Sequence, residues 1–545
     1  MGAADAVVIG SGPNGLVAAC LLARAGWSVT VLEAAQVAGG AVRTEELTLP
    51  GHLHDSFSAF YGMLHASPVF GELGLDRRLE WRHFEVPVAA GVSPQAAAAC
   101  HRDPERTAAA LTAISPGDGE AWLELWRWWQ TAGRRVLRLM LGPLPPSPPA
   151  VLRLLRSTGL RGSLELARML IEPVEVLSRN HFRSEPARAL LAGGISHSDL
   201  SVEATGGVPL ALVLAMVAQD VGMPVPAGGA GKLAEALVGA VEEAGGTVTV
   251  GARVERVLIA GGRAAGVELA GGERVEARRA VLAGTGPLVL FRDLVGEEHV
   301  PRAYLEGLRR FRPGSGIFKL DLALRGPAPW TAAALRDAGV VHLTGSLEQM
   351  ARSSFEVHRG LLPGRPLLVV GQQSLADASR APSGAHTLWL ETHVPASPRG
   401  DGDRAGALAG GWAEAKAPFQ ERVLDLLEGH APGLHGLIAG AFARTPDELE
   451  RENPNLAGGD LGGGSMAPDQ QLFLRPVPGW FRYATPIPGL YLCSASTHPG
   501  GGVHGMAGRN CARRVLRDAR LARLPRSSSS AVVRRGWPPR GGAHS

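Results

Sequence analysis

Cysteine is scarce in this chain of 545 residues, and its four cysteines lie far apart. Cys20, Cys100, Cys493 and Cys511 form no Cys-x-x-Cys pair, so the sequence predicts no disulfide framework, no metal site and no dithiol redox centre. Free thiols fit a reducing compartment. Because no signal peptide is recognisable before the first predicted strand, we expect a cytoplasmic protein, with peripheral contact to a membrane as an alternative.

Long apolar runs are also missing. The longest uncharged apolar stretch, Ala204 to Gln219, has 16 residues and contains two Gly and one Pro. A helix needs about 20 apolar residues to cross a bilayer. We therefore predict no transmembrane helix.

Positive charge is concentrated at one end of the chain. The formal net charge is +4, but residues 511–545 contain nine Arg and one Asp, while the remainder has 46 basic and 50 acidic residues. A basic tail on a mildly acidic body is not the charge distribution of a nucleic-acid groove, so we predict no nucleic-acid partner. We expect residues 525–545, rich in Ser, Arg and Pro, to be disordered.

The first 34 residues contain a glycine pattern with a physical explanation. Residues 6–9 predict a buried parallel strand, residues 14–25 a helix and residues 28–32 a second strand. Between the first strand and the helix the sequence reads Gly-Ser-Gly-Pro-Asn-Gly, and an acid ends the second strand. This order is typical of a dinucleotide-binding unit.

Each position of this pattern has a role toward a dinucleotide. Gly10 permits the tight turn, Gly12 lets the backbone approach a pyrophosphate, and Gly15 lets the helix pack closely on the strand. The helix N-terminus attracts the phosphates, and Glu33 accepts hydrogen bonds from ribose hydroxyls. The predicted cofactor-binding residues here are Gly10, Ser11, Gly12, Pro13, Asn14, Gly15, Glu33 and Ala34.

The residues after Glu33 carry a family resemblance. Gly39-Gly40 and Arg43-Thr44 are followed by a Pro-Gly…His-Asp segment that ends at Asp55. The sequence resembles the phytoene-desaturase-like branch of the FAD-dependent amine oxidases, the branch that includes pyridine nucleotide-disulfide oxidoreductase domain-containing protein 2. The resemblance implies FAD as cofactor, with Gly39, Gly40 and Arg43 in contact with it. Many amine oxidases have Arg directly after the glycine pair, whereas Ala41 and Val42 intervene here.

Two later segments match the same family in order. Residues 224–272 predict a helix, a Gly-Gly turn and three short strands, and the resemblance places the backbone of Val254 against the adenine. Residues 489–522 predict a strand, a glycine loop and a helix. There the resemblance places Gly502, Val503 and Met506 at the flavin ring. N–H groups and a helix dipole aimed at a reduced flavin favour its negative charge.

The fold class that follows is α/β: a Rossmann-like FAD-binding domain interleaved with an α+β substrate domain of mixed sheet plus helices. We assign residues 1–75, 221–300 and 485–524 to the FAD-binding domain, and residues 76–220 and 301–484 to the substrate-binding domain. In the latter, residues 386–395 alternate apolar and polar side chains, as expected of a strand facing a ligand cavity.

The predicted activity is an FAD-dependent oxidoreductase that transfers hydride from a C–H bond of a hydrophobic small molecule to flavin N5. The resemblance implies a polyene or isoprenoid-like substrate. Flavin amine oxidase is an alternative, and a non-catalytic lipid-binding protein on the same fold, like Rab GDP-dissociation inhibitors, is another. No catalytic acid–base pair is identifiable, and we interpret His54, Asp55, His498 and His504 as structural.

A helical stretch at residues 122–140, rich in Trp and Arg, has two interpretations. It fits a basic amphipathic surface that touches lipid headgroups, or a core helix of the substrate domain with a solvated Arg face.

Overall fold

The structure is a computed structural model that describes residues 2–403 and 410–522. The predicted disordered tail lies outside the described residues. The elements alternate between strands and helices along the chain, as expected of an α/β fold.

Twenty strands are defined in these two ranges. They are β1 Ala4–Ile9, β2 Val29–Leu32, β3 Thr44–Glu45, β4 His54–Asp55, β5 Trp81–Arg82, β6 Val86–Gly91, β7 Ala97–Cys100, β8 Val225–Pro226, β9 Thr247–Thr249, β10 Val254–Ala260, β11 Arg263–Leu269, β12 Arg274–Ala283, β13 Gly316–Leu324, β14 Ala338–Leu343, β15 Leu361–Leu362, β16 Leu368–Gly371, β17 His386–Val394, β18 Gly400–Asp401, β19 Ile438–Arg444 and β20 Leu490–Leu492.

Nineteen α-helices accompany the strands in the described part of the chain. They are α1 Pro13–Arg24, α2 Gly62–His65, α3 Pro68–Glu72, α4 Leu75–Arg78, α5 Pro104–Ile114, α6 Asp118–Trp128, α7 Arg134–Leu141, α8 Pro148–Met169, α9 Val174–His181, α10 Glu185–Ala192, α11 Gly207–Asp220, α12 Ala230–Glu243, α13 Arg302–Leu308, α14 Ala333–Arg336, α15 Leu347–His358, α16 Trp412–His430, α17 Leu434–Leu437, α18 Pro446–Glu452 and α19 Met506–Ala522.

The first large sheet brings both ends of the chain together. Strands β20, β12, β1, β2 and β9 lie side by side and are parallel, and the β10–β11 hairpin joins through the start of β12. These strands come from the three segments predicted for the FAD-binding domain. The apolar residues of β1 and β2 are buried, as expected of parallel strands covered on both faces.

The second large sheet has the order β19-β13-β17-β16-β14-β6-β7. All of its pairs are antiparallel except β14 with β6. Leu388 and Leu390 on one face of β17 join the core that α16 covers, so the opposite face of this strand is turned toward the rest of the molecule. The predicted α/β class with a mixed sheet is confirmed.

The tryptophan-rich helices belong to the core. Trp122 and Trp129 are fully buried, and their indole N–H groups donate to Gln219 and Asp220 at the end of α11. These two tryptophans support the core-helix interpretation, and contact of this stretch with lipid headgroups stays a prediction. Across residues 2–403 and 410–522, every helix is too short or too polar to cross a bilayer.

Candidate functional site

The turn between β1 and α1 has the geometry that its glycines predict. Gly10 has φ of +89°, a value that favours glycine. A Cβ on Gly15 would lie 2.4 Å from the carbonyl oxygen of Gly10, so the start of α1 packs directly on the turn. Neither position accepts a larger residue without moving the backbone.

Gly12 differs from these two residues because space surrounds it. Its φ of −60° and ψ of 163° are open to any residue, and a Cβ built there meets no atom within 4 Å. The Gly39–Gly40 turn approaches from one side, where a Cβ on Gly40 would lie 3.1 Å from the Cα of Gly12. Backbone therefore faces an open space at the N-terminus of α1, which suits a pyrophosphate.

Glu33 ties the end of β2 to this turn. Its Oε2 accepts hydrogen bonds from the backbone N–H and the hydroxyl of Ser11, at 2.8 and 2.7 Å. Its Oε1 accepts from the N–H of Ala35 at 2.9 Å. A carboxylate has about four acceptor positions, so one remains for a ribose hydroxyl. The predicted contact of Glu33 with ribose stays a prediction.

The segment before Val254 lies beside Glu33 and the residues that follow the end of β2. The N–H groups of Gly251 and Ala252 donate to the carbonyls of Ala35 and Glu33, at 2.8 and 2.7 Å. Val254, two residues further, is buried at the start of β10. The structure thus brings Val254 close to Glu33 and the exposed Ala34, although 220 residues separate them in sequence.

The C-terminal helix meets the N-terminal helix at their first turns. The N–H of Gly508 donates to the side-chain oxygen of Asn14 at 3.3 Å, and a Cβ on Gly508 would lie 1.9 Å from the Asn14 carbonyl oxygen. Pro13 and Met506 begin the two helices. Two helix N-termini, each preceded by a glycine loop, therefore lie side by side.

Gly502 and Val503 belong to the loop that precedes α19. Gly502 is exposed with φ of +94°, Val503 is half-buried, and Met506 is buried. His504 is buried and its Nδ1 accepts a hydrogen bond from the N–H of Met506 at 3.1 Å. Burial lowers the pKa of His504 to about 4, so the imidazole is neutral and available for this cap.

These features fit FAD. Gly12 and Gly40 leave backbone bare around an open space, and the partial positive charges of two helix N-termini suit an anionic dinucleotide. The residues that would hold it are those of the 10–15 turn, Glu33, the Gly39–Gly40 turn, Val254 and the loop before α19.

Arg43 already has protein partners: it pairs with Glu45 and Glu452 and lies over the ring of Phe57. Its predicted contact with FAD stays a prediction.

The buried histidines and Asp55 have structural roles. Asp55 pairs with buried Arg380 at 2.9 Å and accepts from the N–H of Ala230, the first residue of α12. Burial and nearby cations lower the pKa of His54 to about 3, and burial lowers that of His498 to about 4. His498 Nε2 contacts the carbonyl oxygen of Gly142 at 2.9 Å. The structural interpretation of these residues is supported.

A cavity of about 790 Å³ opens beside the second sheet. A smaller inner cavity of about 60 Å³ shares Asp199, Gly314 and Ser315 with it. The inner cavity also borders Gly462 and Gly464, and a Cβ on Gly501 would lie 2.8 Å from the Gly462 carbonyl oxygen. The inner cavity therefore ends at a loop that packs against the glycine loop before α19.

Buried Arg475 ties these loops together. Its guanidinium donates to the carbonyl oxygens of Gly463, Ser465 and Ala495 at 2.8 to 3.1 Å. Burial lowers its pKa to about 10, and the charge persists at neutral pH. One side chain thus joins the wall of the cavity to the C-terminal segment of the FAD site.

A row of ionisable side chains on the second sheet was missed in the sequence. Lys319 and Asp321 on β13 and Glu391 and His393 on β17 share one face, because Lys319 pairs with Glu391 across the strands. Glu391 and His393 line the inner cavity together with His197. The alternation in residues 386–395 predicted a strand facing a cavity, and this is confirmed. Lys319 and Asp321 also alternate with apolar residues, which was the overlooked signal.

The ionisable groups have different surroundings at the two ends of this row. Lys319 Nζ donates to Asp321 Oδ1 at 2.5 Å, and both side chains are fully buried. Burial lowers the pKa of Lys319 to about 8, although the attraction of Asp321 opposes this. At the cavity end, Glu391 Oε1 lies 3.7 Å from His197 Nδ1, and His197 Nε2 contacts His342 Nε2 at 2.9 Å. Glu391 is therefore the carboxylate of the row that reaches the cavity.

The chain has curated relatives along nearly its whole length. It is 31% identical to pyridine nucleotide-disulfide oxidoreductase domain-containing protein 2 of Rattus norvegicus, over 94% of this chain and 93% of the relative. It is 27% identical to one of the limonene dehydrogenase subunits of Castellaniella defragrans, over 95% of each chain. It is 24% identical to the neurosporene-forming phytoene desaturase of Cereibacter sphaeroides, over 92% of each chain.

A family model agrees with these relatives. The model described as flavin containing amine oxidoreductase matches residues 14–399, more than half of the chain. The resemblance drawn from the glycine motifs is thereby confirmed, as are FAD as the cofactor and oxidoreductase as the class of enzyme. The interpretation as a non-catalytic lipid-binding protein is not supported. The chain belongs to the flavin containing amine oxidoreductase family and is an FAD-dependent oxidoreductase.

Proposed function

We propose that this oxidoreductase dehydrogenates a largely hydrophobic, isoprenoid-like small molecule. The observation that carries the proposal is the pair of cavities that leads from the surface to the loop at residues 460–466, which packs against the glycine loop before α19. The names of two relatives, a limonene dehydrogenase and a phytoene desaturase, support an isoprenoid hydrocarbon as the substrate class. When bound, FAD accepts a hydride from a C–H bond.

The inner cavity, of about 60 Å³, is too small for a whole isoprenoid, so its lining suits the apolar end of a substrate that extends into the outer cavity. Ile317, Leu461 and Met466 supply apolar surface, while His393 and Glu391 present polar groups on one side. Asp460, which also lies there, is occupied by the N–H groups of three glycines at residues 314, 462 and 464. Glu391 and His393, both on β17, are the polar groups that this proposal uses.

Glu391 is the proton acceptor in this proposal. Formation of a C=C bond releases a hydride from one carbon and a proton from its neighbour, so the site needs a base as well as a hydride acceptor. Glu391 reaches the cavity and has His197 beside it, 3.7 Å away. His342 in turn contacts His197 Nε2 at 2.9 Å, which fixes the orientation of the His197 ring beside Glu391.

The experiment that tests the proposal is reduction of the bound flavin without oxygen. We expect an isoprenoid hydrocarbon, presented in detergent, to bleach the visible flavin absorbance in the purified protein. The Glu391→Gln variant is expected to retain FAD and to bleach about 10² to 10⁴ times more slowly, the usual contribution of a general base. Glu421→Gln, the same change at an exposed position on α16, is the control and leaves the rate unchanged.

Amine oxidation is the second candidate, and the acidic lining favours it. Asp199, Glu391 and Asp460 surround the inner cavity, and carboxylates attract an ammonium group. In the same anaerobic experiment an alkyl amine bleaches the flavin and the hydrocarbons do not. That result would replace the isoprenoid proposal with amine oxidation.

A further inference from the structure

Exposed apolar side chains are concentrated on α8 and the turn after it. Leu160 is 81% exposed, Ile171 65% and Leu164 63%. Three more leucines in the same stretch, at positions 152, 155 and 170, are between 45% and 48% exposed. Single exposed apolar residues are ordinary on a protein surface, but six of them within residues 152–171 indicate a surface that binds another molecule.

The backbone of α8 presents these residues in two short rows. Gly159 has φ of +64° and divides the helix into two arms. Leu152 and Leu155 are three residues apart on the first arm, and Leu160 and Leu164 are four apart on the second. Residues at these spacings lie on one side of a helix, so each arm offers a leucine pair to its surroundings.

The charge around these leucines indicates which partner fits. Residues 134–171 contain seven Arg and one acid, Glu165, which pairs with Arg168. Arg153, Arg156 and Arg161 are exposed, and none of them forms an ion pair with another described residue. Unpaired arginines beside exposed leucines complement a surface that is anionic outside and apolar beneath, which is the surface of an anionic bilayer.

This surface lies close to the opening of the outer cavity. Ile171 leads directly into α9, where the N–H of Glu175 donates to the carbonyl oxygen of Val202 at 3.0 Å. Residues 199–205 include the part of the cavity wall on either side of Val202. The C-terminal end of the α8 surface is therefore close to the cavity wall.

We propose that α8 docks on the surface of an anionic lipid bilayer, with its leucines in the interface and its arginines at the headgroups. The consequence that a hydrophobic substrate enters the cavity from the bilayer rests on the proposed function. The docking itself does not. The buried Leu154 holds α8 to Ala132 and Val136 in a small cluster, so the leucines that face outward are not needed for folding.

Vesicle co-sedimentation of the full-length, FAD-loaded protein tests the docking. We expect binding to vesicles of phosphatidylcholine with phosphatidylglycerol, and binding at least tenfold weaker to phosphatidylcholine alone or in high salt. The double variant Leu160→Gln/Leu164→Gln is expected to bind at least tenfold more weakly. Replacing Arg153, Arg156 and Arg161 by Gln is expected to reduce binding to the level on neutral vesicles.

The matched control changes two exposed apolar residues elsewhere. Phe355→Gln/Leu521→Gln replaces side chains that are 61% and 53% exposed, and its binding is expected to equal that of the unchanged protein. All variants are expected to keep the flavin spectrum, which separates this test from that of the proposed function. Equal binding of the α8 variant and the control variant overturns the proposal. So does a dimer of the unchanged protein that the α8 variant dissociates without any change in vesicle binding.

Discussion

Single residues show how far a glycine motif can be interpreted from sequence. The motif predicted a close contact at Gly15 and a free approach at Gly12, and both are present: a Cβ at Gly15 collides with Gly10, whereas one at Gly12 meets nothing within 4 Å. The spacing could not predict that Ser11 holds Glu33, because that contact joins two strand ends in space. Nor could it predict that Arg43 is engaged by Glu452, 409 residues away.

The Gly12→Val variant tests cofactor binding without a change in the fold. Because the backbone angles at Gly12 suit any residue and the Cβ position is free, we expect the variant to fold. Its side chain would occupy the space assigned to the pyrophosphate, so purified protein is expected to lack flavin absorbance. Gly239→Val, at a site on α12 where a Cβ also meets nothing within 4 Å, is expected to keep flavin. Full flavin occupancy in Gly12→Val would contradict the assignment.

The pKa of His504 predicts a change of stability with pH. The pKa is about 4 in the folded protein and ordinarily about 6.5, so between these values the unfolded chain binds a proton that the folded protein does not. Stability is therefore lost as the pH falls from 6.5 toward 4, by on the order of 3 kcal/mol for this group.

His504→Asn isolates this contribution, because Asn can accept the hydrogen bond from Met506 but does not titrate. Urea unfolding at pH 7 and pH 5 is expected to show a smaller loss of stability in the variant than in the unchanged protein. His299→Asn changes a partly exposed histidine. This variant is expected to lose as much stability between pH 7 and pH 5 as the unchanged protein. An identical pH dependence in the two variants would show that His504 titrates normally.

Elements were predicted well where a pattern is local. The first strand, the first helix, the helix before the Gly-Gly turn and the C-terminal helix were all predicted to within a few residues, because apolar periodicity and glycine positions define them. The order of strands in the second sheet was not predicted. That order depends on pairing between β13 and β17 and between β14 and β6, which are far apart in sequence.

Replacement by Ala is expected to change stability in opposite directions at two glycines. Gly508 lies where α19 crosses α1, and Gly239 lies on α12. Gly508→Ala places a Cβ 1.9 Å from the Asn14 carbonyl oxygen, so the helices must separate. We expect a loss of about 1 to 3 kcal/mol in the free energy of unfolding and weaker FAD binding. Gly239→Ala fills free space within α12 and is expected to stabilise by about 0.5 to 1 kcal/mol. Thermal unfolding and FAD titration measure both, and equal behaviour of the two variants would contradict the tight crossing.

At the scale of the whole molecule, three separate segments of the chain form one sheet. Strands β1 and β2, then β9 to β12, and finally β20 form it, and the segments between them build the second sheet and the helices around it. The three glycine-containing segments predicted this arrangement, because each resembles a part of one cofactor site. A strand facing a cavity was predicted from residues 386–395, but the ionisable row of that cavity was not, since it arises where the second sheet meets loops from three different parts of the chain.

Hydrogen–deuterium exchange tests most directly whether both ends of the chain hold one FAD. The measurement compares flavin-free protein with the same protein after addition of FAD, peptide by peptide. We predict slower exchange in residues 10–15 and in residues 500–508 together, with one dependence on FAD concentration. Protection confined to one of these segments, or protection of the two at different FAD concentrations, would contradict the account.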